Sequence, residues 1–286
     1  MKSKNNNLLG ISFMILSMFC LSVNDMTYKY LSFHFPVWES IFFRALSGSI
    51  IALFLAMYFG FDKLKTKKPI GHAIRAFSAS GCVVFYIYGI NNLMLSENIA
   101  IAHSAPIIAA FLAVPILGER IGILRTSAIL IGFIGVLIIV KPGTDLFKLE
   151  SLYPLISACF MASVYLSTRS VMSTDSSVAI IFYYSFALLI TSLIFFPSEF
   201  IMPNLIQLIF AMSLGVMGSI GHFFMSQAAK NADVAVTSPF EYSSFIFVGL
   251  MGFLIFAEVP TYSIYLGGFI IISSGIFIAY RERKNN

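Results

Sequence analysis

Residues 38–69 read WESIFFRALSGSIIALFLAMYFGFDKLKTKKP. The first part, 38–59, is an apolar run whose only charges are Glu39 and Arg44, and Lys63, Lys65, Lys67 and Lys68 crowd in behind it. A helix rises about 1.5 Å per residue, so about 20 apolar residues cross the hydrocarbon of a bilayer. Backbone in hydrocarbon must satisfy its own hydrogen bonds, and a helix does so within one segment. The stretch reads as a transmembrane helix that stops on a basic cytoplasmic loop.

The same pattern recurs along the chain. Further runs lie at 8–28, 72–91, 98–117, 123–140, 150–168, 177–196, 205–226, 234–256 and 262–280. An all-α membrane protein with ten transmembrane helices is expected. Lys2 and Lys4 precede the first run, but no small-x-small cleavage site follows it, so the run is expected to stay as the first helix. Counting Lys and Arg on alternate sides puts thirteen on one face: Lys2, Lys4, the four lysines above, Arg120, Arg125, Arg169, Lys230, Arg281, Arg283 and Lys284. The other face collects Lys29, Lys141 and Lys148. That bias predicts both termini in the cytoplasm and an even number of helices.

Composition agrees with this reading. The chain of 286 residues is 58% hydrophobic and 11% charged, with 30 Phe, and carries a formal charge of +5. Soluble domains run near 25% charged. The basic groups sit in short breaks between apolar runs, which encodes topology rather than a nucleic-acid surface. Cys20, Cys82 and Cys159 fall inside apolar runs without metal-ligand spacing. The sequence holds no HExxH, CxxC, Walker motif or dinucleotide fingerprint, so no catalytic function, cofactor or metal is expected.

A faint repeat divides the chain. Ala105-Pro106 opens a run ending at Leu117-Gly118-Glu119, and Ser238-Pro239 is followed by a run ending at Phe256-Ala257-Glu258. These are the fourth and ninth predicted helices, and five is an odd offset, so equivalent helices run in opposite directions. Two inverted five-helix repeats, at 1–145 and 146–286, are expected.

Polar groups inside apolar runs nominate the site, because a charge in hydrocarbon is costly unless it faces a cavity or a partner. Glu241 and Tyr242 follow Pro239 in the ninth helix. Asn24 and Tyr28 share one face near the end of the first helix, as do Asp25 and Lys29. Arg44 is deep enough to need a carboxylate or a wet cavity, with Asp25 or Glu39 as the candidate partners. His103 precedes Pro106, and the two prolines are expected to distort their helices. Asn24, Asp25, Tyr28, Glu39, Arg44, His103, Glu241 and Tyr242 are the candidate substrate-binding or gating residues. Tyr86, Tyr88, Tyr165, Tyr183 and Tyr184 are candidate linings for an organic solute.

Several segments together resemble the EamA branch of the drug/metabolite transporter superfamily over essentially the whole chain. They are Ser22-Val23-Asn24-Asp25 with Lys29-Tyr30, Phe42-Phe43-Arg44-Ala45, Ala105-Pro106 through Leu117-Gly118-Glu119-Arg120, and Gly132-Phe133-Ile134-Gly135-Val136-Leu137 with Lys141-Pro142-Gly143. The second half adds Gly221-His222 and Ser238-Pro239-Phe240-Glu241-Tyr242 through Phe256-Ala257-Glu258-Val259-Pro260. The resemblance implies ten helices in two inverted halves and transport of a small organic metabolite across the bacterial inner membrane. It is nearest to the subgroup that includes S-adenosylmethionine uptake carriers. Glu241 departs from relatives that often carry Arg or another polar residue there, which changes the sign of a cavity group. The expected mechanism is secondary transport by alternating access, with a zwitterionic or cationic solute bound through the carboxylates and Arg44. Membrane lipids surround the chain, and a proton or an exchange solute is the candidate driving partner. The alternatives are an amino-acid or drug/metabolite exporter of the same fold and a non-transporting structural or receptor-like membrane protein.

Overall fold

The computed structural model describes residues 7–117, 123–141, 143–144, 147–171, 175–196, 200–232 and 234–285, and these are helical with no strand among them. In chain order the helices are α1 Asn7–Ser32, α2 Val37–Phe59, α3 Pro69–Asn92, α4 Leu95–Ala102, α5 Ala105–Leu117 and α6 Ile123–Val140. They continue as α7 Leu152–Val171, α8 Ser177–Ile194, α9 Leu205–Asn231, α10 Val234–Thr237, α11 Ser243–Phe256 and α12 Tyr262–Asn285. Among the described residues, six segments are long and apolar enough to cross a membrane: Asn7–Ser32, Val37–Phe59, Pro69–Asn92, Leu95–Leu112, Leu149–Thr168 and Leu205–Met225. Shorter apolar helices lie at Thr126–Val140, Val178–Ile194, Phe240–Phe256 and Tyr262–Ile278. Large apolar side chains such as Phe54, Met57, Phe77, Leu254 and Phe269 point outward, as a lipid-facing surface requires.

Two expected helices are broken. The run 98–117 is split between α4 and α5 by a turn at His103 and Ser104. Pro106 has no N–H to give to the carbonyl four residues back, so the ladder closes through His103 N to Ile99 O at 2.9 Å and Ser104 N to Ile101 O at 3.0 Å. The run 234–256 is likewise divided, with the 3₁₀ segment Ser238–Tyr242, which contains Pro239, lying between α10 and α11. Pro106 lies two residues past the first turn, and Pro239 lies within the second break. Gly118, Glu119 and Arg120 of the Leu-Gly-Glu-Arg motif lie outside the described residues, as do Pro142 and the N-terminal lysines.

Packing places one part of the chain against the other. α1 runs along α9, α3 along α7, α6 along α12, and α2 along α8 and α9, while α4 meets α11. The contacts depend on small residues. A Cβ on Gly135 would sit 2.8 Å from the Gly267 carbonyl, and one on Gly267 would sit 2.6 Å from that of Gly135, so the α6 and α12 backbones touch. Gly215 plays the same part between α9 and α2, where a Cβ would sit 2.5 Å from Gly48 N. The largest apolar cluster among the described residues gathers Tyr28, Leu31, Phe35, Ile41, Ile87 and Ile90.

Candidate functional site

The two helix breaks meet. His103, at the α4–α5 turn, approaches Ser244 at the start of α11, with Nε2 and Oγ 3.0 Å apart. Its ring also packs on Tyr242, with centroids 5.2 Å apart. A cavity of ≈ 240 Å³ lies beside this junction. Its polar wall comes from Asn24, Asp25 and Tyr28 on α1, Arg44 on α2, Cys82 and Tyr86 on α3, and Ser157 and Tyr165 on α7. Ser22, His103, Glu241, Tyr242 and Ser244 complete that wall, with Pro106 beside them, and Met18, Met161 and Met225 supply a softer apolar side.

Its charges are arranged unequally. Arg44 Nη1 donates to Asn24 Oδ1 at 3.1 Å, and the guanidinium carbon lies 5.8 Å from the centre of the Tyr28 ring. Asn24 is itself held by donating from Nδ2 to Leu214 O on α9, at 2.5 Å. Asp25 Oδ2 accepts the Tyr86 hydroxyl at 2.8 Å. The Glu241 carboxylate lines the cavity with no hydrogen bond or ion pair to any described residue. One cation and one acid are thus each partly tied down, and a second acid is left for whatever enters. The thioethers of the three methionines conform to irregular apolar shapes, which suits a wall that meets an organic body.

Of the candidate residues, Asn24, Asp25, Tyr28, Arg44, His103, Glu241 and Tyr242 line this cavity, whereas Glu39 does not. Glu39 is completely buried at the start of α2, where Oε1 accepts from Ile201 N at 2.9 Å. Of the two surroundings open to Arg44, it takes the cavity and not a carboxylate partner: Asn24 occupies the direct contact and Asp25 turns to Tyr86. Asp25 and Lys29, which share a helix face, do not pair with each other. Lys29 reaches Glu258 instead, with Nζ to Oε1 at 3.2 Å. Of the tyrosines, Tyr86 and Tyr165 reach the cavity. Tyr183 donates to Leu64 O at 2.9 Å, and Tyr88 packs on Trp38 and Tyr153. Cys82 and the three methionines gave no sequence signal, since each is an ordinary apolar residue of a membrane helix until its facing is known.

Known proteins share this construction. The EamA-like transporter family matches the chain twice, over residues 8–141 and 149–280. The S-adenosylmethionine uptake transporter of Rickettsia prowazekii (strain Madrid E) is 30% identical over 96% of this chain and 94% of its own length. The pseudopaline exporter CntI of Pseudomonas aeruginosa (strain UCBPP-PA14) is 25% identical over 96% of this chain and 97% of that protein. The riboflavin transporter of Vibrio cholerae serotype O1 is 29% identical, covering 79% of this chain and 76% of that protein. A solved crystal structure superimposes with a TM-score of 0.62 at 17% identity, covering 96% of this chain and 98% of the other, and shows a shared fold. The chain therefore belongs to the EamA-like transporter family, as a multi-pass membrane protein that transports a small metabolite and is not an enzyme.

Proposed function

We propose that this chain is a secondary carrier for an α-amino acid bearing a second cationic centre, working by alternating access around the cavity at the two helix breaks. The observation that carries the reading is the Glu241 carboxylate, which lines the cavity with no partner among the described residues while Arg44 and Asp25 occupy the α1–α2 wall. A solute carboxylate would take the remaining donors of Arg44, and its α-ammonium group would lie against Asp25. A second positive group would face Glu241. Two acids and one guanidinium favour a solute with a net positive charge, because each buried charge needs a counter-charge. S-adenosylmethionine, named for the Rickettsia relatives, has this pattern in its carboxylate, ammonium and sulfonium groups. The tyrosines and methionines of the remaining wall suit the flat, apolar faces of an adenosyl group.

The proposed frame is ten crossings in the bacterial inner membrane, with both termini cytoplasmic and inverted repeats at 1–145 and 146–286. Broken α4–α5 and α10–α11 then occupy equivalent places, and α1–α9 is the counterpart of α3–α7. Discontinuous helices at a repeat interface are a common way to build a binding site at the bilayer midplane. Exchange of a driving ion or second solute would supply the energy. Export is the second reading, favoured by the full-length likeness to the pseudopaline exporter.

The test is uptake and counterflow in proteoliposomes with labelled S-adenosylmethionine, neutral amino acids, dibasic amino acids and nucleotide-like solutes. Saturable exchange of the net-cationic solutes above the others is expected. Exchange that is indifferent to solute charge overturns the charge assignment. Accumulation only against an outward gradient selects export.

A further inference from the structure

The strongest unexplained feature lies beyond the cavity, at the end of α1. Lys29, a long basic side chain, is only 8% exposed. Its ammonium group is held three ways: to Glu258 Oε1 at 3.2 Å, to Ile90 O at 2.9 Å and to Leu93 O at 2.6 Å. Glu258 uses its other oxygen to accept from Leu95 N at 2.7 Å, the first residue of α4. A carboxylate there also meets the positive end of a helix. These contacts tie the far ends of α1, α3 and α4 to a single residue that follows α11. Glu258 is set in place by Ala257, whose φ of 52° turns the chain sharply at the end of α11.

We propose that Lys29 and Glu258 form the lock of the outer gate, closed in this structure, and that it must open for the cavity to face the outside. This rests on the topology and transport cavity proposed above. Three features support it. The lock joins the two repeats, since Lys29, Ile90, Leu93 and Leu95 belong to the first and Glu258 to the second, so relative motion of the repeats must break or form it. Beside the lock in sequence, next to the Ile90 carbonyl and the Leu95 amide, Asn91 Oδ1 and Ser96 Oγ are buried without a hydrogen-bond partner among the described residues. Opening would hydrate them, so the closed state depends on the lock to offset their desolvation. Finally, Asp25 and Lys29 stand one turn apart on α1, about 6 Å along its axis. A solute that moves Asp25 therefore moves the lock with it, through a rigid helix.

Cys82 is a native reporter because it lines the cavity, and replacing Cys20 and Cys159 with Ser leaves it as the single thiol. Its rate of reaction with a membrane-impermeant methanethiosulfonate is measured in right-side-out and inside-out vesicles. Removing one partner of a buried ion pair strongly disfavours the state that contains it. Lys29→Met and Glu258→Gln should each raise the outside rate by about tenfold or more, with the inside rate unchanged or lower. The double exchange Lys29→Glu with Glu258→Lys should not restore closure, because neither the carbonyls of Ile90 and Leu93 nor the amide of Leu95 would find its complement. An outside rate equal to that of the parent in both single variants overturns the lock. So does an equal rise from both faces, which marks general loosening of the bundle. If Cys82 reacts from neither face in any variant, the cavity is not the transport site and the gate falls with it.

Discussion

Replacing Glu241 with Gln keeps the shape of the side chain and removes its charge. Because no described residue hydrogen-bonds or pairs with this carboxylate, the loss falls on the solute rather than on a protein partner. A cationic centre about 4 Å away gains about 4 kcal/mol at an effective dielectric constant of about 20. Glutamine keeps a carbonyl acceptor, which returns about 1 kcal/mol. Desolvation of the incoming cation, which enters a wet cavity and is only partly stripped of water, offsets a further part of the gain. The net loss is about 2 kcal/mol, or about a 30-fold rise in Kd for a net-cationic solute. A neutral analogue of the same outline should weaken by less than about threefold. Direct binding to the purified carrier, parent and variant side by side at matched folded concentration, reads both numbers. Equal weakening of the charged and neutral solutes would refute the charge-pole argument, as would no weakening of either. Normal binding and counterflow with loss of the response to a pH gradient would assign Glu241 to proton coupling instead.

Arg44→Lys keeps the charge but loses the planar fork directed at Asn24, so binding of a carboxylate-bearing solute should fall about tenfold, and further in Arg44→Ala; parent-like affinity in both removes Arg44 from the site. Gly135→Val should lower stability by about 1–3 kcal/mol by pushing α6 off α12, read as a lower thermal midpoint in detergent. Gly249→Ala, where a Cβ meets nothing within 4 Å, is the neutral control, and equal midpoints for the two variants would defeat the close-contact account. Cysteine reporters near Lys65 and Lys284 should be labelled from the cytoplasmic face and those near Thr144 and Asn204 from the outside; Lys65 and Thr144 on one face would defeat the ten-crossing topology.

The sequence alone was enough to say that the chain is helical and membrane-embedded, and to nominate most of the polar wall. Hydrocarbon cannot hydrogen-bond a backbone or solvate a carboxylate, so run length and charge placement leave a strong one-dimensional trace. Asp25, Arg44 and Glu241 stood out for that reason, and Pro106 and Pro239 marked the two breaks. Which group each charge meets was decided in three dimensions. A residue's facing changes by about 100° per position along a helix, and the rotation and depth of each helix are set by close contacts such as Gly135 on Gly267 and Gly215 on Gly48. That register turned Arg44 to Asn24 rather than to a carboxylate, carried Glu39 away to the Ile201 amide, and left Glu241 open to the cavity. It also took Lys29 from the aspartate one turn away to Glu258 at the far end of α11, a pairing between distant segments that no local spacing contains.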